Sequence, residues 1–266
     1  MSPDSFLHQY ASLDELRSHY ALHDERSLNI AERQELTRWR ESGRREVWFL
    51  ARMLAKQLIA DHLGNPSLPF GAIEIRSRDE RNRGIRPRIR IDGEVRPWAM
   101  SISHTDRGVL VGLSTVPGAL LGVDLTPVGV YRPSFLSIWF TERERIWLGN
   151  SEPEQIAAAW AVKEAVYKAA NIGDSFAPQC MEVYPVESGR YACIDRGIDL
   201  SRVCDVHTWG IDGHMAAAAL LCRPEAIVQI EPRRHGDTEN NGEEFCPANL
   251  REKTRIAGRD RENGFH

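Results

Sequence analysis

From Arg44 to about Leu63, Val47, Leu50, Ala51, Leu54, Leu58 and Ile59 fall on one side of a helical period, and Arg44, Arg45, Arg52 and Lys56 occupy the rest. A second helix runs from Gln155 to Ala170, with no Gly or Pro and a body of Ala, Val, Ile and Trp. Such a helix is packed on nearly all sides, so the few charged residues it carries must face a cleft. Trp160, Glu164 and Lys168 recur at i, i+4 and i+8 on one face, with Lys163 beside them, and Asn171 and Gly173 supply the stop. Residues 1–30 carry only a weak helical pattern, and Ala31 to about Gly43 is charged and helical. A capping box, Thr141-x-x-Glu144, opens a short helix through about Leu148.

Between these helices the period changes to two. Strands are expected at Ala72–Ser77, Ala119–Leu125, Met181–Val186, Arg190–Ile194, Val203–Trp209 and Met215–Cys222, and Met100–Ser114 reads as strand, turn, strand. Asp212-Gly213 is a hairpin turn between the last two strands. The segment from Arg76 to Arg90 is crowded with arginine among turn residues. Each half of the chain passes through a long helix and then a hairpin with a His and small residues, which suggests a duplication. Beyond Pro232, Arg, Asp, Glu, Asn and Gly prevail, and that tail is expected to be disordered because it cannot offset its ordering entropy.

The chain has 266 residues, 42% of them hydrophobic, enough for one large domain or two small ones. A net charge of −4 argues against a general nucleic-acid binder, and no apolar run is long enough to span a bilayer. The N-terminus lacks the basic start and apolar run of a signal peptide. The five cysteines have no metal-binding spacing and read as reduced thiols, so a cytoplasmic protein is expected.

Candidate chemistry gathers in three places. Asp124 ends a buried strand, and Glu164 lies forty positions on. If helix and strand end pack together, the two carboxylates meet across a cleft and need a cation; oxygen ligands without His or Cys point to Mg²⁺. The third group is cationic: Lys163, Lys168, Arg45, Arg52 and the segment around Arg86. Acids that hold a divalent metal, with bases around it, are what a polyphosphate substrate requires. Each residue also has a plainer reading: Asp124 as a turn former, Arg45 and Arg52 as a solvated helix face, His104 as a strand-end hydrogen-bonding group, and Trp160 as a core anchor.

These residues resemble the Sfp-type 4′-phosphopantetheinyl transferases, whose hallmark is Gly-x-Asp-x-Glu followed some forty residues later by Trp-x-x-Lys-Glu-Ala/Ser-x-x-Lys. Here the two motifs read Gly122-Val-Asp124-Leu-Thr126 and Trp160-Ala-Val-Lys163-Glu164-Ala-Val-Tyr-Lys168. Ser103-His104, Trp139-Phe140-Thr141 with Glu144, the helix around Arg45 to Arg52, and Gly84-Ile-Arg86-Pro87 extend the resemblance in the family's order over residues 30–225. The Trp…Lys-Glu-Ala form is similar to the subgroup tied to fatty-acid and polyketide carrier proteins.

The resemblance implies two similar α+β subdomains related by a pseudo-twofold, residues 1–117 and 118–232, with the site in the cleft between them and a tail at 233–266. It implies coenzyme A as co-substrate, with Mg²⁺ on Asp124 and Glu164 and the Thr126 hydroxyl as a weak ligand or holder of a metal-bound water, and an acyl or peptidyl carrier protein as partner of a monomer. Glu164 would be the base. Lys163 and Lys168 would neutralise phosphate oxygens, and Arg45, Arg52, Arg86, Ser103 and His104 would hold the adenosine side. Two positions depart from the pattern: Thr126 stands where many members carry a metal-binding Glu, and Ile85 separates Gly84 from Arg86. A non-catalytic relative that binds CoA or carrier protein, weakened at Thr126, is the alternative. A Mg²⁺-dependent nucleotide phosphohydrolase is a third reading, without a P-loop or His signature to support it.

Overall fold

The computed structural model describes residues 6–20, 25–79, 81, 83–170, 177–187 and 189–222. The expected disordered tail and the helix stop at Asn171 and Gly173 lie outside the described residues.

Each half begins with a strand and three helices. In the first half these are β1 (Leu7–Ser12), α1 (Leu13–His19), α2 (Ile30–Leu36) and the long α3 (Ser42–His62). In the second they are β7 (Leu120–Pro127), α4 (Pro133–Trp139), α5 (Glu142–Leu148) and α6 (Pro153–Ala170). Five strands follow in each: β2 (Ile73–Arg78), β3 (Gly84–Ile91), β4 (Glu94–Arg96), β5 (Ala99–His104) and β6 (Gly108–Ser114), then β8 (Met181–Glu187), β9 (Arg190–Asp195), β10 (Ile198–Asp199), β11 (Cys204–Ile211) and β12 (His214–Leu221).

Pairing repeats with the order. Strands run β1-β6-β5 and β2-β3-β4 in the first half, and β7-β12-β11 and β8-β9-β10 in the second. A single bridge, His207 to Arg190, joins the second pair of sheets into one. The β3–β4 and β9–β10 turns are also alike: Asp92-Gly93 and Arg196-Gly197 hold positive φ at both positions, as a type I′ hairpin needs. The fold is α+β, with one topology used twice.

A buried ion pair recurs as well. Asn29 and Thr141 each cap a seven-residue helix through a capping box whose acid is Glu32 or Glu144. Lys56 of α3 reaches Glu32 Oε2 at 2.5 Å, and Lys163 of α6 reaches Glu144 Oε2 at 2.6 Å, with every one of these side chains 0% exposed. Each ammonium also donates to two carbonyls, those of Ser27 and Phe70 or of Trp139 and Pro178. The second carboxylate oxygen accepts from a strand N–H, that of Ile75 or Val183. Short helix, long helix and following hairpin are thereby tied at one point in each half. Burial pushes both glutamates up and both lysines down, each opposed by its partner's charge.

Small residues let α6 lie close on the second sheet. Ala157, Ala161, Ala165 and Ala169 on the helix, and Ala216 to Ala219 on β12, are all buried. Gly122 of β7 marks the closest approach: a Cβ there would stand 1.8 Å from the carbonyl oxygen of Ala165. Trp160 packs in an aromatic cluster with Phe135, Trp139 and Phe140, which bears out its reading as a core anchor.

The early chain differs from expectation. Residues 7–12 form a strand rather than part of a helical stretch, because the edge of β6 offers them a full antiparallel ladder, Leu7↔Leu113 through Ser12↔Gly108. The arginine segment is a hairpin rather than a turn-rich loop. Ile73, Ile75, Ile89 and Ile91 alternate into the core, which leaves Arg76 and Arg88 directly opposite each other on the outer face. No described helix is long and apolar enough to cross a membrane. Cys180, Cys193, Cys204 and Cys222 are free thiols, with Cys193 and Cys204 buried in strands.

Candidate active site

The two halves meet where β5 runs beside β7. One side of β7 pairs with β12, so the N–H groups of Val123 and Leu125 on its other side need acceptors. Ser101 Oγ accepts from Val123 N at 2.9 Å, and Ser103 Oγ from Leu125 N at 3.2 Å. Two hydroxyls on alternate positions of β5 thus stand in for a backbone ladder. Left unmade, each such bond would cost about 1–3 kcal/mol.

Asp124, between Val123 and Leu125 of β7, is 6% exposed. Its Oδ1 accepts from Ser103 Oγ at 2.8 Å and from Lys168 Nζ at 2.7 Å; its Oδ2 accepts from Thr126 Oγ1 at 2.9 Å. Lys168 donates as well to the Val123 carbonyl at 3.1 Å and to Ser103 Oγ at 3.3 Å. Glu164, one turn earlier on α6, is half-buried. Its carboxyl is pushed up to about 7 by desolvation; the ammonium of Lys168 opposes that rise and the negative charge of Asp124 adds to it.

Of these groups Lys168 lines a cleft of roughly 1140 Å³ that both halves share, with Tyr167 and Leu121 on its side and Arg52, Arg86 and His104 on the other. Arg52 is 4% exposed; its guanidinium donates to Ser77 Oγ, lies 3.6 Å from Glu35 and stacks 4.5 Å over the Trp48 ring. Its Nε is buried without a hydrogen-bond partner among the described residues. Arg86 donates to the Ala169 carbonyl at 2.9 Å, which clips the first half to the C-terminal turn of α6. His104 is accessible from the cleft yet surrounded by protein. Desolvation and then Lys168 lower its pKa, against the pull of Asp124.

The structure therefore gathers Asp124, Thr126, Glu164, Lys168, Ser103, His104, Arg52 and Arg86, and leaves two expected residues out. Lys163 does not reach the cleft. Its ammonium is spent on Glu144 and two carbonyls in the core, because a helix turns about 100° from Glu164 to the preceding residue. Arg45 is exposed in the first turn of α3 and does not line the cleft. Ser103 faces Asp124 and the Leu125 amide, so its hydroxyl positions the carboxylate. Sequence reasoning passed over Ser101, although Ser101-x-Ser103 carries a period-two signal.

Among the described residues no three His, Cys, Asp or Glu side chains converge on one point. The hard-oxygen set is Asp124, Glu164 and the Thr126 hydroxyl. It fits Mg²⁺, which prefers oxygen ligands and readily keeps waters or substrate oxygens in the remaining positions.

The family model of the 4′-phosphopantetheinyl transferase superfamily matches residues 120–219, which span β7 through most of β12. Curated protein sequences give no match. Among solved structures, a holo-(acyl-carrier-protein) synthase from Bacillus anthracis str. Ames, in complex with CoA (3′,5′-ADP), has a TM-score of 0.33 and 19% identity over 41% of this chain and 92% of its own. The holo-[acyl-carrier-protein] synthase of Thermotoga maritima has a TM-score of 0.32 and 24% identity over 39% of this chain and 62% of its own. A Chronobacterium ammoniagenes ACPS-CoA complex has a TM-score of 0.31 and 23% identity over 39% and 96%.

Proposed function

We propose that this protein transfers the 4′-phosphopantetheine arm of coenzyme A to a serine of an acyl or peptidyl carrier protein, with Mg²⁺ bound, and releases 3′,5′-ADP. The observation that carries the reading is the Asp124–Lys168–Glu164 constellation at a cation-lined cleft, inside the segment that matches the transferase superfamily. The reading takes residues 1–117 and 118–232 as two subdomains of a cytoplasmic monomer, since one chain supplies both walls of the cleft.

The serine Oγ forms a bond to the β-phosphorus of CoA, and the bond from that phosphorus to the bridging oxygen breaks, so that 3′,5′-ADP departs with the electron pair. Mg²⁺, when bound to Asp124 and Glu164 with Thr126 beside them, would supply positive charge to the diphosphate oxygens. Lys168 adds its charge on the same oxygens, and Arg52, Arg86 and His104 orient the nucleotide side. Glu164 takes the serine proton. A carboxylate is a weak base toward an alkanol, so the charge around the diphosphate and the orientation of the reactants supply most of the acceleration.

Mass spectrometry of an apo carrier protein after incubation with the full chain, CoA and Mg²⁺ tests the proposal. Gain of the phosphopantetheine group with release of 3′,5′-ADP is expected. CoA binding without transfer selects instead a non-catalytic relative, the reading that Thr126 favours because it gives the site a hydroxyl where a third carboxylate would strengthen it.

A further inference from the structure

The Asp124 site already contains a cation of its own. The three acceptors of Lys168 satisfy all three of its ammonium protons, and the donors Ser103, Lys168 and Thr126 leave Asp124 no bare oxygen. The lysine side chain is nonetheless 28% exposed, against 9% for that of Asp124, so it can swing toward the cleft that it lines. We propose that Lys168 occupies the metal position of Asp124 in the free protein, and that a divalent metal enters only when a diphosphate draws the ammonium away.

Charge supports the exchange. With Glu164 ionised, Asp124, Glu164 and Lys168 sum to −1. A divalent cation alone takes the site to +1, with an ammonium and a metal competing for one carboxylate. A diphosphate diester brings two negative charges and returns the sum to −1. Metal and diphosphate together thus restore the site's original charge, whereas the metal alone reverses its sign and sets two cations against each other. Lys168 therefore couples the two ligands, and the coupling is reciprocal, with each raising the affinity for the other. The missing carboxylate at Thr126 strengthens this dependence, because the protein supplies too little negative charge to hold both cations by itself.

The inference rests on the transferase reading for the identity of the diphosphate, and its test does not require turnover. Mn²⁺ binding to the full chain is followed by electron paramagnetic resonance, without carrier protein, in the absence and presence of CoA. Wild type should bind Mn²⁺ weakly alone and on the order of tenfold more tightly with CoA. Lys168→Gln keeps a hydrogen-bonding side chain and removes the charge; it should bind Mn²⁺ alone about tenfold more tightly than wild type, with a smaller gain from CoA. Lys168→Arg should behave like wild type, and adding Asp124→Asn to Lys168→Gln should erase the gain. Equal Mn²⁺ affinity in the CoA-free wild type and Lys168→Gln proteins overturns the exchange, as does Lys168→Arg matching Lys168→Gln. A CoA effect absent from every variant counts against the transferase reading, while the CoA-free comparison still decides the role of Lys168.

Discussion

Replacing Lys163 by methionine keeps most of the length of the side chain and removes its charge from a fully buried place. Glu144 would remain 0% exposed with its partner gone, and the carbonyls of Trp139 and Pro178 would each lose a donor. Removing one member of a buried pair costs about 3–5 kcal/mol, mostly the penalty of an uncompensated charge. That is a large part of the roughly 5–15 kcal/mol available to a domain, and in a protein of this size it lowers the melting temperature by about 6–20 °C. Adding Glu144→Gln removes the stranded charge and keeps a carbonyl acceptor, so the double variant should regain about 1–3 kcal/mol. Lys56→Met should cost a similar amount, because Lys56 donates to Glu32 and two carbonyls in the same way. Urea denaturation gives these energies, and transfer kinetics below the melting temperature give the function. The Michaelis constant for CoA should hardly change in Lys163→Met. A variant that melts like wild type but has lost CoA affinity would refute the core assignment and return Lys163 to the phosphates.

Three further outcomes follow from the site. Glu164 holds its proton to about pH 7 in the folded protein and to about 4.5 unfolded, so its contribution to stability is full below pH 4.5 and is lost as pH rises to 7, by at most ~3 kcal/mol; pH-dependent melting should show this slope in wild type and its absence in Glu164→Gln. Gly122→Ala should destabilise by more than about 3 kcal/mol or lift α6 off β7, because the added carbon meets helix backbone rather than a mobile side chain; a variant with unchanged melting and transfer would contradict that packing. Thr126→Glu should raise Mg²⁺ affinity in the CoA-free protein by on the order of tenfold, read by calorimetry, because it sets a second charge beside Asp124; equal affinities would mean that position 126 does not face the metal.

What was legible in the sequence was whatever local chemistry determines. The long helices declared themselves by apolar period, the Thr141–Glu144 cap by its box, and the Asp212-Gly213 turn by its glycine. β1 and the arginine hairpin were hidden because partners distant in sequence decide them: β6 supplies the ladder for one, and the isoleucine face of the other outweighs its charges. In the site, Asp124 and Glu164 stood out as acids in apolar surroundings. The division between Lys163 and Lys168 did not, since both lie on the same short stretch and only the position of Glu144 in space pulls one inward. Ser101 escaped notice because a serine that closes a backbone gap looks like any serine on a strand.

The twin ion pairs separate what each half needs to stand from what it needs to act. One residue past Lys163 comes Glu164, and five past it comes Lys168; at the same steps past Lys56 stand Gln57 and Asp61, which only bond each other at 2.7 Å on an exposed helix face. The scaffold device is kept twice and the reactive one once. The first half carries Arg52 and Trp48 on its long helix instead, and these line the cleft across from Lys168. A single chain thereby presents two unlike faces to one cleft, an asymmetry that two identical copies of either half cannot reach.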